Sequence, residues 1–335
     1  MISRPGHWLR RRIASPSSPT AELYFANACA DIIPQIKGAV WLAPTVFASE
    51  KAIVVFRHDA NAVISPNDPR SLIYVLDDAI HAGRTDPSLP LWYRLRLRLL
   101  ECEAAARLLP RASQVVVSGG GVETDLPSRL FPPGLPLTVL SPFWRHAFSD
   151  LSHFDNPRPF RVGYLASQVH ARNATTVFTI MRQVLAGCDD VRFAIPDNHT
   201  VPRDLIATGR IDQIPAGPWG DYQGTLISQQ IHLALYPTGT GAFDRARSAN
   251  KLIEHAVLGA GGLYSTEWAD RLGMIDGVCG RVLPDDPDQW ARVVLECAFS
   301  PAIARALAAG GQALAHKHND PAEQVRFWRR MLLPG

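Results

Sequence analysis

The sequence predicts an α/β protein built from two doubly wound domains. Its 335 residues are enough for two domains of ordinary size. Short apolar segments, such as residues 40–46, 52–57 and 72–76, alternate with helical patterns, which is typical of parallel strands covered by helices. A polar stretch with two prolines, residues 149–159, separates two such series and places a domain boundary near residue 156.

We expect four segments along the chain. Residues 21–155 and 156–320 form the two domains, and residues 321–335 form a last helix whose Trp328 lies on an apolar face. Residues 1–20 predict a mobile tail, and the alternative is a weak electrostatic hold on anionic lipid. The tail is basic because it carries Arg4, Arg10, Arg11 and Arg12.

Composition excludes several classes of function. Apolar residues make up 47% of the chain and charged residues 19%, which supports real cores and argues against disorder. The net charge of +3 is too small to indicate a nucleic-acid partner. Five scattered cysteines without C-x-x-C spacing predict reduced thiols, no zinc site and a cytoplasmic protein. With no signal peptide or membrane-spanning run expected, any membrane contact would be peripheral, at the inner face. Motifs of common hydrolases, NTPases and dehydrogenases do not occur.

The second domain is organised around residues 231–266, whose pattern is strand, glycine-broken loop, helix, turn and short strand. The helix is expected to start near Ser248 and to end at Gly259. Unpaired N-H groups at a helix start favour an anion, and Arg247 and Lys251 add positive charge, so the pattern suits a phosphate. Glu254, on the same side, suits paired ribose hydroxyls. The alternative is a capped amphipathic helix whose Lys251 and Glu254 form a solvated ion pair.

These residues carry a resemblance to a known family. The run Leu235-Tyr-Pro, followed by FDRARSANKLIEHAVLG at residues 243–259, resembles the nucleotide-sugar site of group 1 (family four type) GT-B glycosyltransferases. Residues 276–290 are similar to a later segment of that family. The resemblance implies two Rossmann-like domains facing a cleft, with the donor in the C-terminal domain, the acceptor in the N-terminal domain and the last helix packing back toward the latter. It also implies that Glu254 holds the ribose and that the helix start faces the diphosphate.

The opening of the second domain extends the resemblance. Gly163, Ser167, His170 and Arg172 match family positions near the donor phosphates, whereas Asn173 stands where an acid is usual. The family also carries a sugar-contacting Glu eight residues before the ribose Glu. Ala246 stands at that position here, so Asp244 becomes the candidate replacement.

Polar residues that follow the N-terminal strands are candidates for the acceptor side, because ligands gather at the carboxyl ends of parallel strands. Asp77, His58 and His81 could hydrogen-bond sugar hydroxyls. For the pair Asp77-Asp78, the alternatives are a metal-binding motif of the other glycosyltransferase fold, GT-A, and a helix cap. Residues 119–121 suit either close approach to a phosphate or a plain turn.

A predicted helix at residues 91–109 has two interpretations. Leu91, Leu95, Leu99 and Cys102 make the apolar stripe of a buried helix. Its basic, aromatic start alternatively suits the edge of a membrane. We favour core packing.

The sequence thus predicts a glycosyltransferase that moves a hexosyl group from a nucleoside diphosphate sugar to a glycan or lipid-linked acceptor in surface polysaccharide or glycoconjugate synthesis. The resemblance implies retention of configuration, and we expect neither a metal nor a cofactor. Asp77, His58, Arg172 and Lys251 are the predicted catalytic residues. The alternatives are a nucleotide-sugar-binding or inactive partner protein, and a nucleotide-sugar epimerase. The predicted donor-binding residues are Gly163, Ser167, Arg172, Asp244, Arg247, Ser248, Lys251 and Glu254.

Overall fold

The computed structural model describes residues 18–62, 64–119, 121–127, 130–167, 171–217 and 219–333. Two six-stranded sheets follow one another along this part of the chain, and the change from one sheet to the other falls between Val139 and Phe160. Helices cover both sheets, as the alternating pattern predicts.

The N-terminal sheet has the order β1-β2-β3-β4-β5-β6. β3 to β6 are parallel, but β1, β2 and β3 pair antiparallel, so the expectation of a wholly parallel sheet is wrong at this edge. The expected strand at 40–46 is a hairpin, because the chain turns at Pro44 and Thr45. The strands are β1 Val40–Ala43, β2 Val46–Ala48, β3 Ala52–Phe56, β4 Ser71–Leu76, β5 Gln114–Val117 and β6 Leu137–Val139.

The C-terminal sheet is parallel throughout, in the order β12-β11-β10-β7-β8-β9. β10 lies between β11 and β7, and its four residues are all buried, as expected for a central strand covered on both faces. The strands are β7 Phe160–Gly163, β8 Val191–Pro196, β9 Ile211–Ile214, β10 Leu233–Tyr236, β11 Gly261–Ser265 and β12 Arg281–Leu283.

The helices of the N-terminal half are short. The first and third α-helices each run on into a π-helical stretch, at Glu22–Ala26 and Leu97–Cys102. The α-helices are α1 Pro19–Ala21, α2 Ile80–Thr85, α3 Leu91–Arg96, α4 Glu103–Leu108 and α5 Val122–Asp125.

The helices of the C-terminal half include the longest of the described chain. They are α6 Ala171–Gly187, α7 Arg203–Ala207, α8 Trp219–Ile227, α9 Ala242–Arg245, α10 Asn250–Leu258, α11 Thr266–Arg271, α12 Pro287–Phe299, α13 Pro301–His318 and α14 Pro321–Leu332.

The helix α14 packs against the N-terminal half. Its Trp328 is fully buried, and the indole N-H donates a hydrogen bond of 2.8 Å to the carbonyl oxygen of Tyr24. Gln324 donates to the carbonyl oxygens of Leu23 and Ser141. One hydrophobic cluster therefore runs from Phe25 in the N-terminal half through Trp328 to α10.

The predicted apolar stripe of the helix at 91–109 is only partly in the core, where Cys102 is buried and Leu99 is half-buried. Leu91 and Leu95 are exposed, whereas Tyr93 and Leu97 of the opposite side are buried. The reason is that the covering elements pack on the Tyr93 side, which the spacing of leucines alone could not reveal.

Among the described residues, no single helix has the length and apolar character needed to cross a bilayer. A bent pair of segments, Pro287–Phe299 with Pro301–Leu332, meets those two criteria jointly.

Candidate active site between the two domains

A cavity of about 380 Å³ lies between the domain that contains the N-terminal sheet and the domain that contains the C-terminal sheet. Its size is within the ordinary range of small-molecule sites. The N-terminal half contributes Arg57, Asp77 and Asp78, together with the aromatic side chains of Tyr24 and Tyr93. The C-terminal half contributes Ser167, Trp219, Tyr222, Tyr236, Arg247, Ser248, Asn250 and Lys251.

The helix α10 brings its first residues to the cavity. It begins at Asn250, two residues after Ser248. Ala249 is not part of the helix, because its ψ of 3° lies outside the helical range. Ser248 still lines the cavity, and its hydroxyl accepts a weak hydrogen bond of 3.4 Å from the Asn250 N-H. Gly259 ends the helix in the left-handed conformation, with φ of 70°, as predicted.

Lys251 and Glu254 form a close pair one turn apart on α10. The Lys251 ammonium donates to both Glu254 carboxylate oxygens, at 2.8 and 2.7 Å, and to the carbonyl oxygen of Leu165 at 2.7 Å. Glu254 is 1% exposed, so the alternative of a solvated ion pair is wrong. Burial raises the pKa of Glu254, and the Lys251 charge opposes that shift. Lys251 lines the cavity, and Glu254 stands directly behind it.

Arg247 joins the two halves of the chain across the cavity. Its guanidinium donates a hydrogen bond of 2.8 Å to Asp78 and lies 4.3 Å from the centre of the Phe243 ring. Phe243 and Ala246 pack in the hydrophobic cluster of the N-terminal half. A Cβ atom added to Gly83 would lie 2.7 Å from Phe243, so a glycine is needed at that contact. Residues 242–247, which we call the α9 segment, are therefore docked on the N-terminal domain.

Asp77 and Asp78 are both held by arginine. The Arg57 guanidinium contacts Asp77 at 3.1 Å and Asp78 at 2.7 Å, and Thr20 donates to the other Asp77 oxygen at 2.8 Å. No cluster of His, Cys, Asp and Glu suited to a metal ion occurs in the described ranges. Neither aspartate caps α2, which starts at Ile80 after an uncapped Ala79. The GT-A metal and helix-cap alternatives are both unsupported.

Among the N-terminal candidates, Asp77 is the one best placed to accept a proton or a hydrogen bond from a ligand. It lines the cavity, and its side chain is 18% exposed. Burial raises the pKa of Asp77 to about 6, against the opposing charge of Arg57. The carboxyl group therefore changes its charge near neutral pH.

Arg57 is a cavity residue that sequence reasoning did not select. It has a left-handed backbone with φ of 64°, which is unusual for a residue with a side chain, and its carbonyl oxygen accepts a hydrogen bond from the Tyr74 hydroxyl. Besides the two aspartates, its guanidinium contacts Glu101 at 2.7 Å. The available signal was its position immediately after a buried strand.

Three predicted site residues lie away from the cavity surface. His58 is 3% exposed, and burial lowers its pKa to about 4, so it is a neutral buried residue. Gly163 lies within β7 against Ile231. Asp244 is buried, accepts a hydrogen bond of 3.1 Å from the Gly239 N-H, and has its pKa raised by burial. None of the three is placed to touch a ligand in this cavity.

Other predicted residues have different outcomes. His81 is half-buried in α2 and does not line the cavity. Ser167 does line it. Gly120 and His170, and the side chain of Arg172, lie outside the described residues, so their predicted roles stay predictions.

No protein-family model matches the chain, and no curated protein matches it in sequence, but solved structures match it in fold. TarM, which is known from S. aureus, superposes with a TM-score of 0.58 at 13% identity, over 81% of this chain and 52% of TarM. Anabaena HepE with UDP and glucose gives a TM-score of 0.54 at 17% identity, over 78% of this chain and 71% of HepE. Sucrose-phosphate synthase from Thermosynechococcus elongatus gives 0.54 at 13% identity, over 79% and 68%.

At these identities the likeness defines the fold and nothing finer. The chain has the GT-B architecture, two Rossmann-like domains that face a cleft. It spans about half the length of TarM.

Proposed function

We propose that the protein is a glycosyltransferase that binds a nucleoside diphosphate sugar in the cavity and transfers the sugar to an acceptor. The observation that carries the proposal is that Lys251 reaches the cavity at the start of α10 while buried Glu254 holds it from behind. An ammonium group, a neighbouring Arg247 and Ser248 meet at one wall of a cleft of suitable volume. The GT-B fold supports the same function.

The cations on this wall suit the chemistry of a departing diphosphate. When the bond between the sugar and the phosphate breaks, negative charge develops on the diphosphate, and fixed positive groups stabilise that charge. Lys251 and Arg247 supply them, and the N-H groups at the start of α10 add to the field. Glu254 is 1% exposed and does not line the cavity, so the contact that the structure supports for it is with Lys251, and its contact with the ribose stays an expectation from sequence. Arg172 belongs to this donor set as an expectation from sequence.

The finer assignment rests on the sequence resemblance. We place the enzyme with the group 1, family four type of GT-B hexosyltransferases, which implies retention of configuration and no metal or other cofactor. The proposed acceptor is a glycan or a lipid-linked sugar in surface polysaccharide or glycoconjugate synthesis, and the proposed location is the cytoplasm. Structures of similar fold contain UDP, UDP-glucose, and fondaparinux with a GlcNAc-glycerol, which supports donor and glycan binding.

Asp77 is the proposed acceptor-side residue. It faces the same cavity from the opposite domain and can accept a hydrogen bond from a sugar hydroxyl. In a retaining transfer the acceptor oxygen bonds to the carbon that loses the phosphate, on the same face, and the acceptor proton passes to the departing phosphate oxygen. Asp77 would orient the hydroxyl for that step.

A protein that binds the donor without turning it over is the second candidate. One observation favours it: Ala246 replaces the acid of the related enzymes and is buried in the N-terminal cluster, so no carboxylate can enter the site from that position. Asp244 does not replace it, because its carboxylate turns away to Gly239.

Calorimetry with UDP, GDP and their common hexose conjugates tests the proposal. A nucleoside diphosphate should bind and raise the thermal midpoint of unfolding, since a ligand of the folded state stabilises it. Product analysis with glycan acceptors, with and without a chelator, then tests transfer, and NMR of the product tests retention. Absence of binding to every nucleotide would contradict the proposal. Binding with neither transfer nor hydrolysis would favour the donor-binding candidate.

A further inference from the structure

The start of α3 presents apolar side chains to solvent. Leu91, Trp92 and Leu95 are 64%, 52% and 46% exposed, although our sequence interpretation placed two of them in the core. A soluble helix usually turns its polar side outward. This helix does the reverse over its first turn and a half.

The exposed side chains form one continuous face. At about 100° per residue, Leu91, Leu95 and Trp92 fall on the side opposite Tyr93 and Leu97, which are buried. Arg94 and Arg98 lie along one border of this side. We call these residues the α3 face: the exposed Leu91, Trp92, Leu95 and Arg98, together with Arg94, which is half-buried.

The charge of the α3 face is uncompensated where the structure describes it. Arg94 and Arg98 make no ion pair with any described residue, and Arg98 is exposed. The nearby acid Glu101 is fully buried and already pairs with Arg57 and Arg96. An apolar centre with a basic border complements a surface that is apolar inside and anionic at its boundary, which is the character of an acidic lipid bilayer.

The α3 face also adjoins the cavity. Tyr93, from the same helical turn, lines the cavity and contacts the Trp92 ring edge-on, with ring centres 5.6 Å apart. Tyr93 additionally lies 6.4 Å from Phe243, which docks from the opposite domain. A partner surface in contact with Trp92 would therefore be separated from the cavity only by the Tyr93 side chain.

We propose that the α3 face docks on an anionic membrane surface and so holds the acceptor side of the cavity next to the lipid. Leu91, Trp92 and Leu95 enter the headgroup region, and Arg94 and Arg98 contact anionic headgroups. The choice of a lipid-linked acceptor rests on the proposed function, but the docking itself does not. The two can therefore fail separately.

Vesicle co-sedimentation of the full chain tests the docking. The probes are vesicles of pure phosphatidylcholine and vesicles of equimolar phosphatidylcholine and phosphatidylglycerol. The wild-type protein should bind the anionic vesicles more strongly, and binding should weaken as salt is added. Replacing Leu91, Trp92 and Leu95 together with Ser should reduce the partition coefficient by at least about tenfold. The double variant Arg94→Gln/Arg98→Gln should reduce it on the order of tenfold for anionic vesicles only.

Matched controls come from exposed residues of the C-terminal half. The variant Ile275→Ser/Phe299→Ser removes side chains that are 61% and 64% exposed, and Arg203→Gln/Arg292→Gln removes two exposed arginines. Both should bind vesicles like the wild-type protein. Circular dichroism melting should show that every variant folds, and nucleotide calorimetry on each should give an unchanged affinity.

Brominated lipids test insertion independently of the serine variants. They should quench part of the tryptophan fluorescence of the wild-type protein, and that part should be missing in Trp92→Phe. The proposal is overturned if the wild-type protein does not bind anionic vesicles, or if the C-terminal controls lose as much binding as the α3 variants. It is also overturned if the α3 variants convert a wild-type dimer to a monomer without changing vesicle binding, because the face would then be an interface between two copies of the chain.

Discussion

The two walls of the cavity use charge in different ways. On the N-terminal wall, Arg57 contacts the carboxylates of Asp77, Asp78 and Glu101. These three charges are compensated because Arg96 also pairs with Glu101 and Arg247 with Asp78. On the C-terminal wall, Lys251 has one carboxylate partner, and the start of α10 lies beside it. The difference suggests that the first wall positions a neutral acceptor by hydrogen bonds, whereas the second attracts an anion.

Within the described part of the chain, the walls are joined by the ion pair of Asp78 and Arg247. In the proposed function, this contact links a cation of the donor side, Arg247, to a carboxylate of the acceptor side, Asp78. Changes to Lys251, Asp77 and Asp78 should therefore separate the tasks of the two walls, and the expected effects decrease in that order.

Lys251→Ala should have the largest effect. Loss of a cation that acts on the developing diphosphate charge should reduce kcat by about 10²- to 10³-fold. Because the substitution leaves Glu254 buried without its partner, it should also destabilise the fold, by about 3–5 kcal/mol. Steady-state kinetics and chemical denaturation measure the two losses.

A double variant separates the two losses. Lys251→Ala/Glu254→Gln removes the buried charge as well, so it should regain most of the stability but neither donor affinity nor turnover. Lys37→Ala, which breaks an exposed pair with Glu50, is the matched control and should change neither quantity. If the double variant recovered full turnover, Lys251 would have only a structural role.

Asp77→Asn should have a smaller effect that depends on pH. The pKa of Asp77 is raised to about 6, so the ionised form that best accepts a hydroxyl hydrogen bond accumulates as the pH rises through that value. The kcat/KM for the acceptor should therefore increase with pH to a plateau above pH about 6 in the wild-type protein. In the variant it should be flat and about 10- to 100-fold lower than the plateau, the value of a hydrogen bond to a charged group. Donor affinity should not change.

Ionisation of Asp77 should change stability in the opposite direction to kcat/KM, because stability should fall as the pH rises. A carboxyl group with a raised pKa binds more protons in the folded than in the unfolded chain, so its contribution to stability falls as the pH rises from the ordinary carboxyl range to about 6. Asp77→Asn should remove that part of the decline in denaturation experiments. An unchanged pH profile of both kinetics and stability would show that the titration belongs to another residue.

Asp78→Asn should have the smallest effect, and that effect should be a weaker contact between the two walls. It weakens the pairs with Arg57 and Arg247, at 2.7 and 2.8 Å, and should lower the free energy of unfolding by about 1–2 kcal/mol. Hydrogen exchange should increase in the α9 segment, which those pairs hold on the N-terminal half. Asp68→Asn is the control, because Asp68 pairs only with Arg70, two residues away, according to the described contacts. Equal exchange in both variants would argue against the cross-domain role.

The parts of the site that sequence anticipated are local ones. Ser248, Lys251 and Glu254 fall within two turns of chain, and Gly259 ends the helix by its own backbone preference. The candidates that lie away from the cavity are covered or held by neighbours distant in sequence. His58 follows a strand as expected but is covered, and Asp244 turns to a backbone N-H instead of the cavity. Arg57 was missed because its three carboxylate partners lie on two other elements.

The sequence by itself determined the alternation of strands and helices and the placement of Lys251 one turn before Glu254, because apolar spacing and turn residues act over a few neighbours. Only the tertiary structure decided that Phe243 and Arg247 dock on the opposite domain and that Leu91, Trp92 and Leu95 face outward. Periodicity shows that a helix has an apolar side, but contacts between elements far apart in the chain choose which side is covered.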